Sequence, residues 1–129
     1  VEERVTPGPY PTTAADLMTD LFLARWYGLT DMIEQYVPDP AVRDAFMAVD
    51  VGKVRYAPSP VRVGKRVETE YGPTVEPGPP NPDGSLEFLA SVQEYEGGFY
   101  WIGRAVVGAA EDGRLVVKSL EFLEQGWAY

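Results

Sequence analysis

Residues 99–109 read FYWIGRAVVGA, the longest stretch of the chain with almost no charge. Phe99, Trp101, Ala105 and Val107 share one parity, and Tyr100, Ile102 and Val106 share the other. Successive side chains of a strand point to opposite faces. Apolar residues on both parities therefore predict a strand covered on both sides and central in its sheet. Arg104 is the one charge within it.

The flanking segments complete an antiparallel meander. Residues 86–95 and 115–124 carry the strand pattern. Gly97-Gly98 and Asp112-Gly113 offer the positive φ angles that tight hairpin turns require. Two-residue loops then fix the register by arithmetic. Arg104 is placed opposite Glu121 on one side and Ser91 on the other. Ile102 faces Leu123 and Gln93, Val106 faces Ser119, and Tyr100 faces Tyr95. In that register one face carries Phe88, Ala90, Val92, Ala105, Val107, Val116, Leu120 and Phe122, with Lys118 as an exception. Glu94, Trp101 and Glu124 lie at one end of it. The other face mixes Leu89, Ile102, Val106, Val117 and Leu123 with Ser91, Gln93, Tyr95, Tyr100, Arg104, Ser119, Glu121 and Gln125.

Three readings of the mixed face stay open. Arg104 and Glu121 can form a cross-strand ion pair, worth under about 1 kcal/mol if exposed. The face can be an interface between copies of the chain, where Arg and Tyr are enriched. It can also line a small-molecule pocket, built from apolar walls and a few convergent polar groups.

Upstream, Val61, Val63, Val67, Thr69 and Tyr71 alternate with Arg62, Gly64, Arg66, Glu68 and Glu70. This predicts a strand with one wet face, broken only by Lys65. Residues 49–57 suggest a further short strand before Pro58 and Pro60. Residues 72–84, GPTVEPGPPNPDG, hold five prolines and read as an irregular solvated loop.

The first third is helical. Thr13 with Asp16 approximates a capping box. Leu17, Leu21, Ala24 and Gly28 follow on one stripe, and Gly28 ends or kinks the helix. Residues 31–37 continue in phase until Pro38. Asp39-Pro40 restarts a helix, with Asp as N-cap and Pro at the first position, running to about Ala48. Residues 1–11, VEERVTPGPYP, read as a proline-rich arm before one domain, residues 12–129.

Composition narrows the chemistry. The 129 residues are enough for one core, and 45% are apolar. With no His, a Ser-His-Asp system and any His-ligated metal are excluded. With no Cys, thiol chemistry is excluded, and no metal or cofactor motif is present. A net charge of −9 without a basic cluster opposes nucleic-acid binding. No apolar run approaches the roughly 20 residues of a membrane helix. Without a signal-peptide pattern, a cytoplasmic location is expected.

Helices first and antiparallel strands after argue for an α+β fold. This order, carried by the amphipathic run 17–36, the Asp39-Pro40 helix and the closing strands 86–95, 99–110 and 115–124, resembles the NTF2-like cone fold. That family includes ketosteroid isomerases, polyketide cyclases and non-enzymatic binding modules. The resemblance implies helices packed on a curved antiparallel sheet with a pocket at its open end; no catalytic position carries over. A hot-dog fold is the alternative.

The first functional expectation is a domain that binds a small apolar or polycyclic molecule, or isomerises or cyclises it, with no cofactor. Glu121 is its candidate base. Tyr100 and Tyr95 would donate hydrogen bonds, Arg104 would hold an anionic oxygen, and Gln93 and Ser91 would complete the lining. A paired Arg104 would keep Glu121 ionised, which opposes its use as a base near neutral pH. The alternative is a non-enzymatic interaction subunit docking through the arm, the proline-rich loop or the aromatic tail. A homo-oligomer, as a dimer, is expected.

Overall fold

The computed structural model describes residues 10–49, 58–94 and 97–128, with 93, 94, 97 and 128 as backbone only. Three helices lead: α1 (Ala14–Tyr27), α2 (Thr30–Tyr36) and α3 (Pro40–Ala48). Five strands follow: β1 (Arg62–Thr69), β2 (Gly72–Glu76), β3 (Leu86–Glu94), β4 (Gly97–Ala109) and β5 (Leu115–Ala128). They form an antiparallel sheet in the order β2-β1-β3-β4-β5, with the helices packed on one face. The fold is α+β. Residues 1–9 of the arm and 50–57 of the short strand expected at 49–57 lie outside the described residues.

The helix boundaries follow from local chemistry. Thr13 Oγ1 accepts the Asp16 N–H at 3.2 Å and so satisfies one free donor of the first turn. Gly28, at φ 72°, turns the chain into the left-handed region, and the Leu29 N–H returns to the Ala24 carbonyl at 2.8 Å. Asp39 caps α3 by accepting the Ala41 N–H at 2.9 Å.

The core lies between the helices and the inner face of the sheet. Leu17, Met18, Leu21 and Phe22 of α1, Ile33 and Tyr36 of α2 and Phe46 of α3 are buried against Phe88, Ala90, Val92, Trp101, Ala105 and Val117. Phe22, Phe46, Phe88 and Phe122 form its centre, with ring centroids 5.3–6.4 Å apart. Burying each such ring is worth about 2–3 kcal/mol in transfer terms. Thr19 Oγ1 of α1 accepts the Val61 N–H at 2.9 Å and ties the helix layer to the start of β1.

β4 is central to the meander, as its two apolar parities require. Its register differs from the one the glycine pairs suggest. The last β3–β4 pair is Glu94↔Gly97, so Gly97-Gly98 belongs to β4 and is not the turn. Arg104 accordingly pairs with Glu87, not Ser91, and Ser91 pairs with Tyr100. The shift is by four residues, an even number, so every β3 side chain keeps its face. A Cβ on Gly98 would lie 3.2 Å from the Val92 carbonyl oxygen, a close approach that the missing side chain allows.

Between β4 and β5 the loop is one residue longer than expected. Ala110 and Arg114 close it, with Gly113 at φ 89°. Val117 rather than Val116 therefore faces the core. Lys118 is then an extra residue on β5, and Arg104↔Glu121 and Val106↔Ser119 fall into place as expected. Leu123 is a second extra residue. Past it, Ile102 stands opposite Glu124 instead of Leu123, and Glu124 moves to the outer face.

The stretch 72–84 is not wholly irregular. Residues 72–76 form β2 at the sheet margin, where the missing Pro73 N–H is tolerated. β1 pairs with β3 only through Arg62–Gly64 and with β2 through Lys65–Thr69. It bends at Gly64, where a Cβ would overlap the Glu76 carbonyl oxygen. Val75 is 1% exposed and Ile102 0%, yet both lie apart from the helix-side core. Arg66 of β1 reaches Glu124 of β5 at 2.9 Å, which brings the β1–β2 hairpin over the outer face of the meander.

Candidate functional site

The outer face of β3, β4 and β5 is where four of the expected site residues, Ser91, Tyr100, Arg104 and Glu121, fall. Ser91, Tyr100 and Arg104 share it through the pairs Ser91↔Tyr100, Glu87↔Arg104 and Arg104↔Glu121. Gln93 is paired by its backbone to Gly98. Tyr95 lies outside the described residues.

The hydrogen bonds select a different set. Glu124 Oε2 accepts the Tyr100 hydroxyl at 2.8 Å, and Glu124 Oε1 accepts Arg66 at 2.9 Å. Arg66 also reaches Glu68 at 2.8 Å, and its backbone N–H donates to Glu87 at 3.2 Å. Gly126, opposite Tyr100, leaves room for the phenol ring, since a Cβ there would sit 3.2 Å from its hydroxyl. The network is half-exposed, with Arg66 at 29% and Glu124 at 35% side-chain accessibility.

Its electrostatics follow from these bonds. The Tyr100 hydroxyl, and then Arg66, hold the Glu124 carboxyl below its ordinary value. The same bond to Glu124 raises the Tyr100 phenol, and burial adds to it. Hydrogen bonds to Glu124 and Glu68 raise Arg66. All three groups are locked in their ordinary charge states at neutral pH. A carboxylate stabilised in this way is a poor proton acceptor.

Arg104 and Glu121 are opposite each other and exposed, without an ion pair between them among the described residues. Tyr100 and Glu124 are brought together; Glu121 is not brought to Tyr100. Arg66 and Glu124 are the polar residues that sequence reasoning missed. Arg66 stood in the alternating wet face of 61–71, which was a usable signal. The shift of Glu124 depends on the extra residue Leu123, for which the sequence carries no mark.

A second feature lies on the helix side. Phe22, Arg25 and Trp26 of α1 meet Pro58, Val92 and Trp101 around a cleft of about 10 Å³. Arg25 donates to the carbonyls of Phe46 at 2.9 Å, Met47 at 3.2 Å and Val49, fastening the end of α3. Phe99 then links Trp101 to Trp127, with edge-to-face centroid distances of 5.0 and 5.1 Å. Trp127 is 56% exposed at the end of β5.

Fold and faces together define an α+β protein with three helices on one side of an open sheet and a charged network on the other. No protein-family model, no curated protein and no solved structure matches the chain. No helix among the described residues is long and apolar enough to cross a membrane.

Proposed function

We propose that this chain is a non-catalytic protein-interaction domain whose contact surface is β5. One observation carries the reading. β5 is the terminal strand of the sheet and presents Leu123 at 43% and Trp127 at 56% exposure. A terminal strand offers unpaired backbone groups to another chain, and exposed large apolar side chains beside them add contact area. Trp is among the residues that dominate binding energy at such surfaces.

The isomerase or cyclase reading has weaker support. Tyr100 and Glu124 do meet, but each already serves the other and Arg66, and the carboxylate is held ionised. The NTF2-like resemblance remains a reading of element order and adds no functional residue.

The test is affinity capture with wild-type protein and a Leu123→Ser/Trp127→Ser variant of matched thermal stability. A protein bound by the wild type and released by the variant supports the reading. Identical captured sets would refute it. Light scattering of the purified chain decides whether the partner is a second copy, as in the expected dimer.

A further inference from the structure

β5 is the terminal strand of the sheet, and among the described residues no strand pairs with its outer edge. Half of the backbone N–H and C=O groups along such a strand point away from the sheet. Its charges are divided along its length: Lys118 lies in the first half, and Glu121 and Glu124 lie in the second. Lys118 and Glu121 are exposed, without an ion pair among the described residues. A copy laid antiparallel beside β5 brings the lysine half of each strand to the carboxylate half of the other. A parallel copy sets like charges side by side, which is unfavourable.

The two faces of β5 narrow the register. Val117, Leu120 and Phe122 turn toward the helices, and Val116, Ser119, Glu121 and Glu124 turn outward, with Lys118 and Leu123 as the extra residues. A twofold axis normal to the sheet makes the pair antiparallel and keeps each face with itself. Centring on Glu121 opposes that carboxylate to its own copy, and centring on Phe122 opposes it to the partner's Glu124; both are unfavourable. Centring on Ser119 opposes Glu121 to Val116 and pairs no charge. Centring on Leu120 sets Leu120 against itself and Glu121 against the partner's Ser119, next to the partner's Lys118. Further out, Val117 meets Phe122 and Val116 meets Glu124. The extra residue Lys118 on one strand is offset by Leu123 on the other, so every side chain keeps its face.

We propose that β5 pairs antiparallel with β5 of a second copy about a twofold axis at Leu120, joining the two sheets edge to edge. Lys118 of each strand meets Glu121 of the other, and the exposed Leu123 packs beside Val116 and Val117 of the partner. One self-complementary occupant thereby satisfies the open backbone, the divided charge and the exposed leucine of this edge. The inference rests on the β5 reading above and names the partner.

The experiment combines sedimentation equilibrium of the full chain with single-cysteine cross-linking. The wild type should dimerise, and a chain that stays monomeric up to about 1 mM overturns the proposal. The sequence has no Cys, so each variant carries one thiol. Leu120→Cys lies opposite itself across the axis, at a spacing close to that of a disulfide, and should oxidise to a covalent dimer. Leu123→Cys, at a more exposed position that does not face itself, should do so at least tenfold more slowly. Equal rates, or a faster Leu123→Cys, overturn the proposal. If Leu120→Cys fails to fold, Lys118→Glu decides. It should weaken the dimer about tenfold, because symmetry applies each repulsion twice, and an unchanged dissociation constant overturns the proposal. A monomeric chain that still captures another protein through Leu123 and Trp127 removes this inference alone. A monomeric chain whose captured set is identical in wild type and Leu123→Ser/Trp127→Ser removes the interaction reading as well.

Discussion

Arg104 stands opposite Glu121 across β4 and β5 because two irregularities cancel. The loop that closes at Ala110 and Arg114 is one residue longer than a two-residue turn, which offsets the ladder by one. Lys118, as an extra residue on β5, takes the offset back. The pairing is therefore right in the middle of the ladder and wrong at both ends of it.

Deletion of Lys118 should leave that pairing intact. Removing a bulge residue joins Val117 directly to Ser119, so 107↔117 and 106↔119 become consecutive pairs and Arg104 still meets Glu121. The aliphatic stem of Lys118 over Gly108 is lost, but it is an exposed contact. Cross-strand nuclear Overhauser effects between Arg104 and Glu121 should persist. Their replacement by effects from Arg104 to Leu120 or Phe122 would show that Lys118 sets the register.

What the sequence disclosed divides along the same line. Thr13, Gly28 and Asp39-Pro40 are legible because capping and chain reversal are local, settled within a few residues. The strands of the meander are legible because period-two patterning reports exposure directly. Lys118 and Leu123 carry no such signal, since any residue type can be the extra one in a bulge. Gly97-Gly98 misleads because glycine serves close backbone approach as well as turns, and at Gly98 it serves the former. The meeting of Arg66 with Glu124, 58 residues apart, depends on the bend at Gly64 and on Leu123 together. No pattern in either segment encodes it.

The Tyr100–Glu124–Arg66 network should make stability depend on acid pH. Glu124 has its folded pKa depressed, so its contribution is present above the ordinary carboxylate range and lost as pH falls through the folded value. Tyr100→Phe removes the largest cause of that depression. At neutral pH the variant should be less stable by under about 1 kcal/mol, as expected of a half-exposed network. The gap should close below about pH 4, where the unfolded chain also protonates. Urea unfolding of both proteins across that range is the measurement, and a pH-independent gap would contradict the assignment.

The alkaline limb belongs to the other side of the sheet. Burial, followed by Asp20 and Tyr10, pushes the Tyr36 phenol up to about 12. Tyr36 packs edge-on against Tyr10 at 5.5 Å, and the Tyr10 hydroxyl donates to the Leu115 carbonyl at 2.6 Å. A raised phenol contributes stability fully present below its ordinary value near 10 and lost as pH rises towards about 12. Tyr36→Phe should therefore retain more of its stability than the wild type over that interval. Circular dichroism followed with phenolate absorbance would show it; coincident alkaline transitions would not fit.

Arg25 fastens α3 by a planar fork. Its guanidinium donates to Phe46, Met47 and Val49 carbonyls and lies 5.4 Å from the Phe46 ring centre. A lysine ammonium cannot reproduce that geometry. Arg25→Lys should cost about 1–2 kcal/mol. Hydrogen exchange should quicken in the last turn of α3 before it does in α1. Uniform loss of protection across the domain would place the role of Arg25 elsewhere.

Two glycine-to-alanine changes should fail for different reasons, and a third residue separates them. At Gly28 nothing lies within 4 Å of a built Cβ, but φ is 72°. The cost there is backbone strain alone, about 1–2 kcal/mol, and Gly28→Asn should recover much of it because asparagine tolerates the left-handed region. At Gly103 the backbone is extended, and a Cβ would overlap the Glu121 carbonyl oxygen and press on the Phe88 ring. Phe88 is fully buried and cannot yield without disturbing the aromatic centre of the core. Gly103→Ala should cost the upper end of the roughly 1–3 kcal/mol typical of overpacking, or more. Gly103→Asn should be worse, not better. Denaturation midpoints of the four variants decide the matter: rescue by asparagine at residue 28 and aggravation at 103 is the expected signature, and rescue at both would mean that strain, not packing, governs Gly103.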